Sequence, residues 1–207
     1  MFSFRKKNEF EMALRSSLPT GFTLEAQLWR YIQWLESQKQ TFKYRNTQDL
    51  FVPTTPVANF NALWSHLAFV VEPDLVRHWF GKKGLENVIV PIVKCGADGS
   101  YFAVWKNDRK DRYVFLGSEG EAFQVADDVR HFIVLLTMGY FSIEGRDTVS
   151  LTPKEDFSGY NSQPWPKPIL AQEWVSKNLE ISYPVTAAEI LDFDNDPFPE
   201  FVDQQVA

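Results

Sequence analysis

The residues best suited to chemistry lie near the C-terminus, where aspartates alternate with other residues. Asp192, Asp194 and Asp196 occupy the first, third and fifth positions of a calcium-loop pattern, and Asp203 occupies the twelfth. Carboxylates at this spacing can surround a Ca²⁺ ion, but the sixth position must be glycine for the sharp turn of the loop. Pro197 occupies that position. The segment therefore lacks the glycine that a calcium loop needs, and we expect no metal site here.

The other reactive side chains are isolated from one another in the sequence. His66, His78 and His131 lie in or beside helical apolar patterns, and no Cys or His pair has zinc-ligand spacing. Cys95, the single cysteine, ends an apolar run, which is typical of a buried thiol. The sequence has neither a Gly-rich phosphate loop after a predicted strand nor a G-x-S-x-G nucleophile turn. We therefore expect a protein that is not an enzyme and uses no cofactor.

The distribution of charge limits the kind of partner. The chain of 207 residues has a net charge of −6, and residues 151–207 carry ten acidic and only three basic residues. An acidic chain repels phosphate backbones, so direct nucleic-acid binding is disfavoured, whereas a basic partner suits the C-terminal part. Gly81-Lys82-Lys83-Gly84 has the form of the backbone-clamping loop of KH domains, but we interpret it as a helix end followed by a turn.

Targeting and membrane signals are also missing from the sequence. The basic start, Met1 to Lys7, is not followed by the apolar region of a signal peptide. The apolar stretch from Phe132 to Leu136 is far too short to span a bilayer. With a single cysteine, no internal disulfide can form. We expect a cytoplasmic protein without a membrane partner.

Helical patterns dominate the first part of the chain. Residues 1–20 show no clear period, but from Thr23, a candidate N-cap, apolar residues recur at helical spacing to Leu35. Residues 40–58 read as a loop, and a second helical pattern runs through residues 60–67. A third helix is predicted from Pro73 to Gly81, because proline suits the first turn and glycine the residue after the last.

The middle of the chain has the pattern of a β-meander. Strands are predicted over residues 88–93, 101–105 and 113–116, with a short fourth at 123–125. Polar turns over residues 96–100 and 107–111 join the first three. A strong helix is then predicted from Val125 to Leu136, because Val129 and Phe132 continue its apolar stripe, and Gly139 ends it.

The last part of the chain contains two capping boxes, in which a threonine is followed three residues later by a glutamate. These begin at Thr152 and Thr186. Between them, residues 158–168 read as an irregular proline-containing loop and residues 171–179 as a short helix. We predict a single α+β domain over 1–207, with an antiparallel meander sheet and helices packed mainly on one face. Its parts are a core of about 60–145, an N-terminal helical extension of 1–58 and a C-terminal appendage of 146–207 with an acidic tail.

The stretch from Val90 to Phe141 resembles the SMI1/KNR4 family, also called the SUKH superfamily. The matching features are the strand Val90-Pro91-Ile92, the turn from Gly96 to Gly99, the strands 101–105 and 114–117, and the helix containing Phe132-Ile133. Members of this family resemble one another as small α+β domains, and many bacterial members are immunity proteins that bind and neutralise a toxin encoded beside them. The predicted helices between Phe60 and Phe80 fit the region that precedes this core in the family, so the resemblance extends over residues 60–141 of the 207. It brings no catalytic motif with it.

The resemblance implies a non-catalytic immunity protein whose partner is a toxin domain, for example a nuclease with a basic substrate groove. Two alternatives stay open: a regulatory or scaffolding module of the same fold, and a hydrolase or transferase that uses the acidic cluster near Asp194. For the binding hypotheses we predict that contacts come from acidic and aromatic residues of the last part of the chain, namely Trp165, Asp192, Phe193, Asp194, Asp196 and Glu200.

Overall fold

A computed structural model describes residues 8–44, 49–107 and 110–206 of the chain. Its strands are β1 Phe42–Lys43, β2 Leu50–Pro53, β3 Ala68–Phe69, β4 Ile89–Lys94, β5 Tyr101–Asn107, β6 Lys110–Leu116 and β7 Ala122–Ala126. Its helices are α1 Glu9–Ser17, α2 Ala26–Ser37, α3 Leu75–Phe80, α4 Val129–Thr137, α5 Arg146–Ser150, α6 Pro153–Tyr160, α7 Ile169–Leu179 and α8 Phe198–Val206.

The strands form one antiparallel sheet, and each strand pairs with the strands that precede and follow it in the chain. The order of the sheet is β1-β2-β3-β4-β5-β6-β7. This confirms the predicted α+β class and the antiparallel meander. Pro91, which cannot donate to a ladder, lies where the β4–β5 register shifts by one residue. A bulge is the position in which a central strand tolerates proline.

Helices cover both faces of the sheet. On one face, Phe102 and Val104 of β5 pack with apolar side chains of α1, α2, α4 and α7. On the other face, Ala103 and Trp105 pack with α3 and α8. The alternation arises because successive strand residues point to opposite faces. The prediction that helices pack mainly on one face is not confirmed.

Several predicted boundaries agree with the structure. Helix α3 ends at Phe80, and the next residue, Gly81, has a left-handed φ of 66°, as predicted for a residue that terminates a helix. Helix α6 begins with the capping box of Thr152 and Glu155, and the N–H of Thr186 donates to Glu189 at 3.1 Å before a short 3-10 turn. The predicted buried state of Cys95 is confirmed, since it has no exposed surface.

Other local predictions are wrong. The helical pattern over residues 60–67 is mostly irregular: only Phe60–Ala62 forms a 3-10 turn, and the chain then enters β3. The predicted loop over residues 40–58 contains β1 and β2, so the segment assigned to the N-terminal extension contributes two strands to the sheet. Residues 1–20 contain α1, which buries Phe10 and Leu14. Val125, predicted both in the short fourth strand and at the start of the helix, is the fourth residue of β7, so the strand prediction is confirmed there and the helix begins only at Val129.

Two predictions fall on residues outside the described part of the chain. These are the basic start from Met1 to Lys7 and the tip of the turn over residues 107–111, of which Asp108 and Arg109 are not described. Within the described ranges, no helix has both the length and the apolar character needed to cross a membrane.

Candidate protein-binding surface

The acidic segment predicted near the C-terminus, residues 192–203, is attached to the edge of the sheet by Asp196. Its Oδ2 accepts a hydrogen bond from the backbone N–H of Gln124 in β7 at 2.8 Å, and its Oδ1 accepts from the N–H of Phe198 at 2.9 Å. One carboxylate thus joins the outer strand to the first residue of α8. Phe198 is fully buried, with its ring centroid 4.9 Å from that of Trp105. Asp196 therefore has a structural role in positioning the segment.

Phe193 is a second attachment point of the same segment. Its ring meets that of Phe123 edge-on, with 5.7 Å between the centroids. The guanidinium of Arg146 lies 4.6 Å from the Phe193 centroid, as expected for a cation–π contact. Phe193 is half-buried, so only part of the ring is available to a partner.

The remaining carboxylates of this segment face solvent. Asp192, Asp194, Glu200 and Asp203 are exposed, and none of them lies within ion-pair distance of a basic side chain in the described residues. Asp192 accepts hydrogen bonds from the backbone and side chain of Asn195 at 3.2 and 2.8 Å. We call these four residues the acidic surface. Within the described residues these four carboxylates form no ion pair, and Phe193, Asp196 and Phe198 attach their segment to the rest of the protein.

Trp165, the remaining predicted contact residue, belongs to a different part of the molecule. Its indole N–H donates to the carbonyl of Gly139 at 2.9 Å, just after α4. Gly139 has a φ of 100°, and a Cβ there would lie 2.8 Å from Pro168 and 3.0 Å from the Trp165 ring. The structure thus groups the acidic residues around β7 and α8, whereas Trp165 covers the end of α4.

A charged cleft, which the sequence did not predict, lies between the β5–β6 hairpin and the N-terminal ends of α2 and α4. It encloses about 410 Å³. Lys106 donates to the carbonyl of Thr23 at 2.7 Å and also pairs with Asp111, while the Tyr113 hydroxyl donates to Glu25 at 3.2 Å. Burial, and then the charge of Asp111, raises the pKa of Glu25. These residues come from separated segments, and only the three-dimensional fold brings them together.

The edge of this cleft contains the only cluster of possible metal ligands within the described ranges. Ligand atoms of Asp127, Asp128 and His131 lie within 4.8 Å of one another. Asp128, however, caps α4, because its Oδ1 accepts from the N–H groups of Arg130 and His131 at 2.7 and 3.0 Å. Its Oδ2 lies 3.0 Å from the Arg130 guanidinium. We interpret Asp128 as a helix cap.

Of the other reactive side chains, Cys95 is buried, His66 contacts an aromatic ring, and His78 is exposed. Burial raises the pKa of the Cys95 thiol well above its usual range, which disfavours the thiolate. The ring of His66 lies edge-on against Phe141, with 4.9 Å between centroids, and burial, followed by the charge of Lys94, lowers its pKa. His78 is exposed on α3.

The fold and the surface together define an α+β protein whose acidic C-terminal segment is attached to the edge of the sheet. In comparisons with known proteins, no family model, no curated protein and no solved structure matches this chain.

Proposed function

We propose that this protein acts by binding another protein through the acidic surface, and that the partner is a bacterial toxin which the binding neutralises. The observation that carries the proposal is the contrast within one segment. Phe193, Asp196 and Phe198 are occupied by internal contacts, whereas Asp192, Asp194, Glu200 and Asp203 are exposed and form no ion pair with any described residue.

Exposed carboxylates on a fixed frame favour association with a basic surface. Like charges on one face produce a field that accelerates encounter with an oppositely charged partner and disfavours acidic ones. No basic residue follows Lys177 in the chain, so the last thirty residues contain no positive side chain that could balance these carboxylates. A toxin that cleaves nucleic acid has a basic substrate groove, which such a surface complements.

The toxin part of the proposal depends on the resemblance of residues 90–141 to the SMI1/KNR4 family. The strand containing Pro91, the turn at Gly96 and the helix with Phe132-Ile133 carry that resemblance. In the alternative, a regulatory or scaffolding module, the same surface binds a host protein and deletion of the gene causes no self-intoxication.

The test is capture of the partner with matched charge variants. Tagged full-length protein is incubated with native lysate at moderate salt, and bound proteins are identified by mass spectrometry. One variant carries Asp192→Asn, Asp194→Asn and Glu200→Gln. The control carries Asp74→Asn, Glu119→Gln and Asp147→Asn, which removes the same charge from exposed positions elsewhere. Circular dichroism checks that both variants keep the fold.

We expect one stoichiometric partner for the wild type and the control, and at least about tenfold slower association for the first variant, most strongly at low salt. The partner expressed alone should arrest growth, and co-expression of this protein should restore it. Equal binding by both variants would refute the acidic surface as the binding site. A partner that is harmless when expressed alone would refute the toxin assignment.

A further inference from the structure

Three surface grooves meet at residues 166–170, between the proline-containing loop and the start of α7. They enclose about 320, 520 and 290 Å³. Lys167 lines all three, and Ile169 lines two of them. We call residues 166–170 the Lys167 ridge, because the grooves lie around it.

The ridge and its margins expose a large amount of apolar surface. The exposed fractions are 56% for Ile169, 58% for Leu170 and 67% for Val185. Half-buried Trp64 and Trp165 line the neighbouring grooves. Single exposed apolar residues are ordinary, but exposed apolar residues that line neighbouring grooves together with aromatic rings are typical of an interaction site.

The backbone of the ridge is restricted by prolines and by internal hydrogen bonds. Pro166 and Pro168 restrict the backbone on either side of Lys167. The N–H of Lys167 donates to the carbonyl of Trp165 at 3.0 Å, and the N–H of Ile169 donates to the carbonyl of Lys167 at 2.9 Å. A surface ordered in this way loses little conformational entropy when it binds.

Charge indicates what this surface binds. Lys167 is the only charged residue lining the grooves of 320 and 290 Å³, as far as the described residues show. No carboxylate of the described chain lies within ion-pair distance of its ammonium group. The third groove adds Lys177 and Glu173. An unpaired cation in an apolar setting favours a ligand that combines apolar groups with an anionic one.

We propose that the Lys167 ridge binds an extended apolar peptide segment of a partner protein, in which an acidic residue between apolar side chains pairs with Lys167. An extended chain fits because its alternate side chains point in opposite directions and can enter separate neighbouring grooves that share Lys167. The ridge is proposed to bind an acidic ligand residue, whereas the acidic surface is proposed to bind a basic partner. The proposal therefore holds or fails independently of the toxin assignment.

The experiment selects a phage-displayed random peptide library on the immobilised full-length protein. Phage that also bind the double variant Lys167→Glu, Ile169→Ser are removed. Recovered peptides are synthesised with a fluorophore, and their affinities are measured by fluorescence anisotropy. We expect recovered sequences in which Asp or Glu lies between apolar residues. Lys167→Gln should weaken binding about threefold, and Ile169→Ser about tenfold.

The matched control is Lys154→Gln, which removes an exposed lysine of α6 outside the three grooves. It should leave the affinity unchanged, as should replacement of the acidic surface by amides. Thermal unfolding of each variant confirms that the exposed substitutions leave the fold intact. Replacing the acidic residue of a recovered peptide by its amide should cost the same factor as Lys167→Gln, and the two changes together should cost no more than either alone.

Several results would overturn the proposal. One is the absence of enrichment, and another is recovery of peptides without acidic residues or with equal affinity for Lys167→Gln. If decanoate bound the protein in a Lys167-dependent manner while no peptide was recovered, the grooves would bind a small amphiphile instead. If sedimentation showed a dimer that Ile169→Ser dissociates, the occupant would be a second copy of this chain.

Discussion

The aspartates of the C-terminal segment look equivalent in the sequence, but substituting them one at a time should separate them sharply. Asp196→Ala removes the acceptor for the N–H of Gln124 and for that of Phe198. Loss of a helix-capping acceptor costs about 1 kcal/mol, and a backbone N–H left without a partner costs about 1–3 kcal/mol. We therefore expect Asp196→Ala to lower the free energy of unfolding by about 2–4 kcal/mol.

The matched variant is Asp194→Ala, two residues away. Asp194 is exposed. Its substitution should change the free energy of unfolding by less than about 0.5 kcal/mol, as is usual for surface positions. Asp196→Asn keeps one carbonyl acceptor, and we expect its stability to lie between those of the wild type and Asp196→Ala.

Urea unfolding measures these differences, and an unchanged slope with denaturant shows that the unfolded states are comparable. Hydrogen exchange adds a local measurement, because the amides of Gln124 and Phe198 should exchange faster in Asp196→Ala than in Asp194→Ala. If Asp196→Ala were as stable as Asp194→Ala, the attachment of the segment through Asp196 would be refuted.

Two further predictions concern buried groups near α4 and α6. Burial raises the pKa of Asp156 from 3.8 to about 6. The folded state therefore holds this proton more tightly than the unfolded state, and stability falls as pH rises from about 4 to about 6, by at most about 3 kcal/mol for this group. Asp156→Asn should lack that slope in urea unfolding at a series of pH values, whereas parallel curves would contradict the assignment. Gly139→Ala should destabilise the protein more than Gly99→Ala, as measured by thermal unfolding. Both glycines have nearly the same φ, 100° and 99°, but of the two only Gly139 has atoms that an added Cβ would contact. Left-handed strain costs about 1 kcal/mol or more at both sites, and equal losses would show that the contact with Pro168 can relax.

Where a local rule determines the structure, the element could be predicted from the sequence. Gly81 ends α3 because glycine adopts the left-handed conformation without a steric penalty. Thr152 begins α6 because its side chain accepts from Glu155 while Glu155 accepts from Thr152. Strands β4 to β7 were predictable because β-branched and aromatic runs alternate with turn residues.

Where long-range contacts determine the structure, the sequence was not sufficient. The apolar residues of 60–67 have helical spacing, but the backbone of His66 bonds to Phe141, and β3 pairs with β4. Strand β2 contains Pro53 and only four residues, so its pairing with β3 rather than its own pattern makes it a strand. Tertiary pairing overrode local preference in both places.

The candidate binding surface was predictable in composition but not in role. Counting charges identified the acidic C-terminal part, yet nothing in the spacing distinguishes Asp196, which bonds to β7, from exposed Asp194. The charged cleft could not be predicted, because Glu25 and Tyr113 are 88 residues apart and meet only in the folded chain.

The bond from Gln124 to Asp196 also bears on solubility. An outer strand with free N–H groups is a template on which a second molecule can add a strand, and such pairing leads to aggregation. In this protein the C-terminal segment occupies the middle of the outer edge of β7 and places a negative charge there. The segment that presents the acidic surface thus also occupies the position at which β7 could pair with a strand of another copy.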